Sequence, residues 1–316
     1  MKVVILDAGT LGEDLPLDAL CSRYDTTVYK STSNEEISSR AKGADVLILN
    51  KLKMNSETLK SSIPKLICVT ATGYDNIDLD FCRKNNIAVC NVVGYSTNSV
   101  AQVTVGIVMQ LVLHLNEYTD FVRSGKYTES GNANRLSPTF YELEGKTWGI
   151  VGYGNIGQKV AKIAESFGCK ILVNKRTPTN EYNCVSLEEI CRSSDIITVH
   201  TPLTSDTQNL ISYPEIELMK KNAILVNVAR GAVCNEQAMT DAVLNNKIGG
   251  IGIDVYSKEP FDSSHPFNQI IDYSNVCLTP HMAWGAFESR KRCIDEIVIN
   301  IEAFNNGKTR NRVDLI

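Results

Sequence analysis

Three charged residues stand where short apolar runs end: Arg230 after "AILVNVA", Glu259 after "GIDVYSK", and His281 after "VCLTP". Taken singly, a strand-end Arg or Glu is most often merely solvated, and a lone His is most often a packed residue. Three of them on successive loops of one sheet can do chemistry together. The guanidinium can clamp a carboxylate, and a His–Glu pair can hold and exchange a proton. The other histidines carry less. His114 lies in an apolar helical segment and reads as a packed or helix-end residue, and His265 in "SSHPF" reads as a loop residue. His200 closes the strand "DIITVH" and stays open between a ligand-facing strand end and a structural turn.

A second constellation is Gly152-Tyr-Gly154-Asn155-Ile156-Gly157. It follows the apolar run "KTWGIV" directly and opens the amphipathic stretch "QKVAKIAESFG". In that context Gly152 allows a tight turn, Gly154 lets backbone approach a pyrophosphate, and Gly157 permits close helix–strand packing. Amides at the helix start, from Asn155 and Ile156 onward, then face the phosphates. The bland alternative is a glycine-rich turn without a ligand; the next strand, "KILVN", arriving at the expected distance favours the dinucleotide site. Such a site commonly carries an Asp or Glu after that strand, to hydrogen-bond the adenosine ribose of NAD. Here Lys175, Arg176 and Thr177 stand there instead. A basic pair attracts a 2′-phosphate, with Arg able to bind bidentately. The cofactor expected is therefore NADP(H), with NAD(H) possible; the alternative is a solvated basic turn.

These loops need a scaffold, and the chain supplies one by alternating short β-branched runs with helical stretches. In the first third the strands read as "KVVILD", "TTVYK", "DVLILN", "KLICVTAT" and "AVCNV". From Lys146 the pattern restarts with "KTWGIVGYG", "KILVN", "DIITVH", "AILVNVA", "GGIGIDV" and "VCLTP", which suits a doubly wound sheet of six or seven strands. Apolar, non-alternating strands argue for parallel sheets covered on both faces. The fold class is thus α/β, with two doubly wound parallel-sheet domains and a cleft between them. A long helix near Val100 to Arg123 is expected to lead into the second domain. Another, from about Ala286 to Asn305, is expected to lead back. The expected domains are 1–99 plus 286–316, for substrate, and 100–285, a Rossmann domain for nucleotide. The polar stretch "SGKYTESGNANRLSPT" reads as a loop.

The chain has 316 residues, 43% hydrophobic and 22% charged, with a formal charge of −4. Acids and bases are interspersed, which argues against nucleic acid or a membrane surface as partner. The start "MKVVILDAG" lacks a signal-peptide pattern, and Val100–Leu115 is too short for a comfortable span. Ten cysteines include no CxxC and no Cys/His metal spacing, so no metal and a reducing, cytoplasmic location are expected.

"NVARGAVCNE", "GIDVYSKEP" and "LTPHMAWG", with the upstream "GYGNIG", resemble the signatures of the D-isomer-specific 2-hydroxyacid dehydrogenases. "ATGYDNIDL" and "VVGYSTNSVAQVTVG" match as well, so the resemblance spans essentially the whole chain. "ILNKLKMNSETL" and "HMAW" look most like the glycerate dehydrogenase and hydroxypyruvate or glyoxylate reductase branch. The resemblance implies roles at the matching positions. Arg230 would bind the substrate carboxylate and polarise its carbonyl. His281 would be the general acid in reduction, and Glu259 would orient it and favour its charged form. Asp254, Val228 and Ala229 would line the nicotinamide, while Thr104, Thr201, Pro202 and Thr207 would lie along the cofactor. Asn50, Lys51, Leu52, Thr72 and Gly73 would hold the substrate, with Trp284 as an aromatic wall beside it.

The activity implied is NADPH-linked reduction of a small 2-oxo acid, hydroxypyruvate or glyoxylate first, by a cytoplasmic homodimer joined through the nucleotide domain. No C-terminal regulatory domain, of the kind some phosphoglycerate dehydrogenases carry, is expected. The alternatives are an NAD-dependent D-lactate-like or phosphoglycerate dehydrogenase, or a non-catalytic NAD(P)-sensing protein of the corepressor kind.

Overall fold

The computed structural model describes residues 1–60, 62–177 and 180–316. The chain divides into two compact units, 1–96 with 285–316, and 97–284. The crossings fall at 96/97 and 284/285, slightly before the 99/100 and 285/286 read from the sequence.

The first unit is built on β1 (Lys2–Ile5), β2 (Asp25–Val28), β3 (Val46–Leu49), β4 (Leu66–Val69) and β5 (Ala88–Cys90). They form one parallel sheet in the order β2-β1-β3-β4-β5. Every residue of β3 and β4 is buried, which explains their unbroken apolar sequences: helices cover both faces, and neither face needs polar side chains. The helix Phe287–Asn305 belongs to this unit and buries Cys293, Ile294, Ile297, Val298 and Ile301 along one stripe. The order of strands reverses at β1, whose neighbours are β2 and β3, so a crevice opens beyond the carboxyl ends of β1 and β3.

The second unit carries β6 (Thr147–Val151), β7 (Lys170–Asn174), β8 (Asn183–Cys184), β9 (Ile196–Val199), β10 (Ile224–Asn227), β11 (Gly250–Ile253) and β12 (Val276–Leu278). All pair in parallel, in the order β12-β11-β10-β9-β6-β7-β8. The two-residue β8 is too short to leave a periodic signal in the sequence. Alternate side chains feed opposite cores, as strand geometry requires: Val151, Ile197 and Leu225 enter one, Ile150, Ile196 and Val226 the other. The order reverses at β6, which places the glycine-rich run at the switch point.

The expected helix from Val100 to Arg123 is two helices, Thr97–Val112 and Leu115–Arg123, bent by 65°. His114 sits in the left-handed region at φ 51° and breaks the ladder. The cause is a change of environment. The first helix buries Val100, Ala101, Ile107, Val108 and Leu111, whereas the second buries nothing. Among the described residues no single helix is long and apolar enough to cross a membrane. The polar stretch read as a loop contains a short helix, Lys126–Ser130.

Candidate active site

β10, β11 and β12 are neighbours, and their carboxyl ends deliver Arg230, Glu259 and His281 to one edge of the second unit's sheet. The Arg230 loop is shaped by Asn227, whose Oδ1 accepts the Ala229 N–H (3.0 Å) and whose Nδ2 donates to the Arg230 carbonyl (2.9 Å). The partly buried guanidinium donates to the Ala229 carbonyl at 2.8 Å. Val228 is buried and Ala229 partly buried, so the chain passes from core to site within three residues.

His281 faces Glu259 through Nδ1, which lies 2.8 and 2.7 Å from the two carboxylate oxygens. An ionised carboxylate only accepts, so Nδ1 carries the proton of this bond and Nε2 is the nitrogen directed elsewhere. The two side chains are about a quarter exposed, at 24% and 26%, which leaves the pair reachable yet partly shielded. His281 itself adopts φ 52°, a conformation non-glycine residues seldom hold without surrounding contacts that impose it. Asp254 supplies those contacts. Its carboxylate accepts from the Thr279 hydroxyl (2.6 Å), the Met282 N–H (2.9 Å) and the Ala283 N–H (2.9 Å). Burial pushes the Asp254 carboxyl above its ordinary value, and these three donors oppose that shift. Both oxygens are thereby committed to the His281 loop. Trp284 packs against the core beneath that loop.

At the switch point the glycines divide their work. Gly152 has φ +92°, and a Cβ there would stand 2.7 Å from the Thr201 nitrogen. Gly157 packs so closely that a Cβ would meet the Gly152 carbonyl oxygen at 2.2 Å. A Cβ on Gly154, in contrast, would meet nothing within 4 Å, so this side of the loop is open to a ligand. The helix Asn155–Ser166 begins there, and its first ladder bond runs from Gln158 N–H to Gly154 O, leaving the Asn155, Ile156 and Gly157 amides at its mouth. A turn that needs glycine, an open approach, and oriented amides fit a pyrophosphate. Thr207 braces the neighbouring loop by donating to the Pro202 carbonyl (2.7 Å) and accepting the Thr204 N–H (2.7 Å). Thr201 begins this loop; both His200 ring nitrogens are buried and make no hydrogen bond among the described residues. Thr104 is fully buried, and its hydroxyl donates to the Val100 carbonyl of its own helix at 2.7 Å.

Lys175 leaves β7 half-buried, with Nζ 5.7 Å from the Tyr153 ring centroid, while Arg176 and Thr177 are exposed. Tyr153 donates to Glu181 at 2.5 Å, and Tyr182 to Glu165 at 3.0 Å, so two Tyr–Glu bonds fasten the far end of this loop. Pro178 and Thr179 lie outside the described residues.

In the first unit, Asn50, Lys51 and Leu52 follow β3, and Thr72 and Gly73 follow β4. Asp7, which the sequence alone does not single out, organises the first loop. Its carboxylate accepts the N–H groups of Asn50 (2.9 Å) and Lys51 (2.9 Å), and burial pushes its own titration upward. Asn76 donates to the Asn50 and Leu52 carbonyls, and Asn91 to the Thr72 carbonyl. The only hint in the sequence is an Asp directly after an apolar run. Among the described residues no group of three His, Cys, Asp or Glu side chains is arranged for a metal ion.

A family model described as the NAD-binding domain of D-isomer-specific 2-hydroxyacid dehydrogenases matches residues 105–283. A glycerate dehydrogenase from Methylorubrum extorquens is 37% identical over 99% of this chain and 99% of its own length. A hydroxypyruvate reductase from Blautia hydrogenotrophica is 35% identical over 99% and 100%. Among solved structures, an acyclic imino acid reductase in complex with NADPH and D-Arg superposes with a TM-score of 0.87 at 28% identity, covering 99% of this chain and 100% of that one. A D-lactate dehydrogenase from Aquifex aeolicus, complexed with NAD and lactic acid, gives 0.83 at 29% identity over 97% and 96%.

Proposed function

The chain belongs to the D-isomer-specific 2-hydroxyacid dehydrogenase family, and from that premise we propose that it reduces a small 2-oxo acid, hydroxypyruvate or glyoxylate, with NADPH as the preferred cofactor. The observation that carries the chemistry is the Glu259–His281 pair, with Arg230 on the next strand but one. Arg230 binds the substrate carboxylate and draws electron density toward the carbonyl oxygen. His281, held at Nδ1 by Glu259, gives the Nε2 proton to that oxygen as the alkoxide forms, and takes it back in the reverse direction. Asn50, Lys51, Leu52, Thr72 and Gly73 are the proposed contribution of the first unit to substrate binding, and Trp284 that of the second. The bound nicotinamide supplies the hydride; the Gly152–Gly157 loop, Thr104, Thr201, Pro202 and Thr207 would lie along its dinucleotide, and Val228, Ala229 and Asp254 would line the nicotinamide.

The cofactor preference rests on Lys175, Arg176 and Thr177, three donors where a ribose-binding acid is commonly found. An NADPH-bound structural relative is compatible with it. A homodimer joined through the nucleotide unit belongs to the same reading and is checked by light scattering. Steady-state kinetics on a panel of 2-oxo acids, run with NADPH and with NADH, test the whole. Hydroxypyruvate or glyoxylate should give the highest kcat/KM, and NADPH should exceed NADH. An equal or better kcat/KM with NADH refutes the cofactor assignment, and no turnover across the panel refutes the activity.

A further inference from the structure

We infer that Glu236 and His265 act as a positioning pair, which holds the turn carrying Glu259 in register with the Arg230 loop and so sets how firmly Glu259 grips His281. The inference rests on the proposed roles of those three residues.

Glu236 opens the helix Glu236–Leu244, and its side chain is only 12% exposed. Its Oε1 accepts the Ser257 N–H at 2.8 Å, and Oε2 accepts the Ser257 hydroxyl and lies 3.1 Å from His265 Nε2. The protonation of that imidazole follows from its other nitrogen. His265 Nδ1 accepts the Phe267 N–H at 3.3 Å, so the proton resides on Nε2 and points at Glu236. The His265 side chain is 7% exposed, and its ring packs against Phe261 and Phe267, at centroid distances of 4.7 and 4.9 Å. Packing against two aromatic rings restricts the imidazole, and little water reaches its side of the pair to replace a broken bond.

Ser257 belongs to the turn that ends in Glu259. The same turn is pressed on Gly231, where a Cβ would stand 2.0 Å from the Tyr256 carbonyl carbon and 2.2 Å from the Ser257 nitrogen. Glu236 therefore holds the peptide that lies directly against the residue following Arg230. On its other side the turn meets His281. Glu259 Oε1 accepts the Tyr256 N–H at 3.1 Å while both its oxygens face Nδ1. The Tyr256 hydroxyl donates to the Thr279 carbonyl at 2.9 Å, the carbonyl that also accepts the His281 N–H at 3.0 Å. One partly buried carboxylate thus fixes a turn that touches all three proposed catalytic loops, without itself reaching the reacting atoms.

The test uses the full chain and four proteins: wild type, Glu236→Gln, His265→Leu and His265→Gln. The Gln side chain at 265 keeps an N–H donor near the place of Nε2; Leu removes it. Hydroxypyruvate reduction is followed by steady-state kinetics. Separately, the low-field proton resonance of the His281–Glu259 bond is recorded without substrate. Glu236→Gln and His265→Leu are expected to lower kcat on the order of 10–100-fold, as sub-ångström to ångström misplacement does, with KM for the cofactor changed by less than about threefold. They are also expected to lose or broaden the proton resonance, while His265→Gln stays close to wild type in both measurements. Wild-type kcat and resonance in Glu236→Gln, or a His265→Gln as impaired as His265→Leu, overturns the inference. If the wild-type protein turns over no 2-oxo acid, the functional proposal fails, while the proton resonance still decides the positioning role.

Discussion

Lowering the pH should strip stability from the second unit through His200. His200 follows β9, its backbone lies against the Gly152 turn, and neither ring nitrogen has a hydrogen-bond partner among the described residues. Burial pushes its pKa from 6.5 down to about 3, because a charged ring there would be desolvated without a counter-charge. The folded value lies below the unfolded one, so the unfolded chain binds the proton first. Stability is complete above about pH 6.5, falls as the pH drops below it, and stops falling near pH 3. At ~1.4 kcal/mol per pH unit, the whole interval corresponds to a ceiling of about 5 kcal/mol. At pH 4.5, two units below the unfolded value, the loss is about 3 kcal/mol. The carboxylates held low in this unit, Asp195, Asp241 and Asp262, release their contribution mainly below their ordinary 3.8, while Asp254, held high by burial, acts in the opposite sense; all four are present in wild type and variant alike, so the difference between the two proteins isolates the imidazole. Both tryptophans, Trp148 and Trp284, lie in the second unit, and their fluorescence in urea titrations reports its unfolding. Comparing wild type with His200→Phe at pH 7.5 and pH 4.5 isolates the effect. Wild type should lose about 3 kcal/mol more than the variant between the two conditions. Parallel losses would show that His200 is charged or hydrated in the folded protein, and would remove it as the source of acid sensitivity.

Other outcomes rest on the same geometry. Lys175→Asp should lower the NADPH-to-NADH ratio of kcat/KM on the order of 10–100-fold, the equivalent of one charged hydrogen bond; an unchanged ratio in steady-state kinetics would make the basic pair a solvated turn. Gly157→Ala places a methyl 2.2 Å from the Gly152 carbonyl oxygen. It should cost roughly 1–3 kcal/mol in urea unfolding and weaken cofactor binding by calorimetry. Asp7→Asn turns one of the oxygens that accept the Asn50 and Lys51 amides into a donor. It should destabilise the first unit by about 1–3 kcal/mol in denaturant unfolding and raise KM for the 2-oxo acid more than KM for the cofactor.

Local chemistry explains what can be read before the fold is seen. The Gly152–Gly157 run is legible because a strand, a tight turn and a helix start are consecutive in sequence, and each demands its own residue type. Arg230, Glu259 and His281 stand out because successive strands end just before them. The rest depends on distant partners. Asp7 acts on Asn50 and Lys51, and Glu236 on Ser257 and His265, across separations that no local pattern encodes. The break at His114 follows the loss of a packing surface rather than any helix-breaking residue, for the segment contains neither Gly nor Pro at that point. Thr104 is read through its motif alone. Its matching motif suggests a cofactor contact, and the structure adds a partner that no motif announces: its hydroxyl donates to the Val100 carbonyl of its own helix.

Proton transfer by His281 under the hold of Glu259 is the step on which the proposed activity depends. It is decided by kcat for hydroxypyruvate reduction at neutral pH in wild type and His281→Ala, with cofactor affinity measured alongside. Loss of the proton donor should lower kcat on the order of 10²–10⁴-fold and leave the affinity for NADPH nearly unchanged. Near wild-type turnover in His281→Ala would mean that another group supplies the proton, and the role given to His281 would fall.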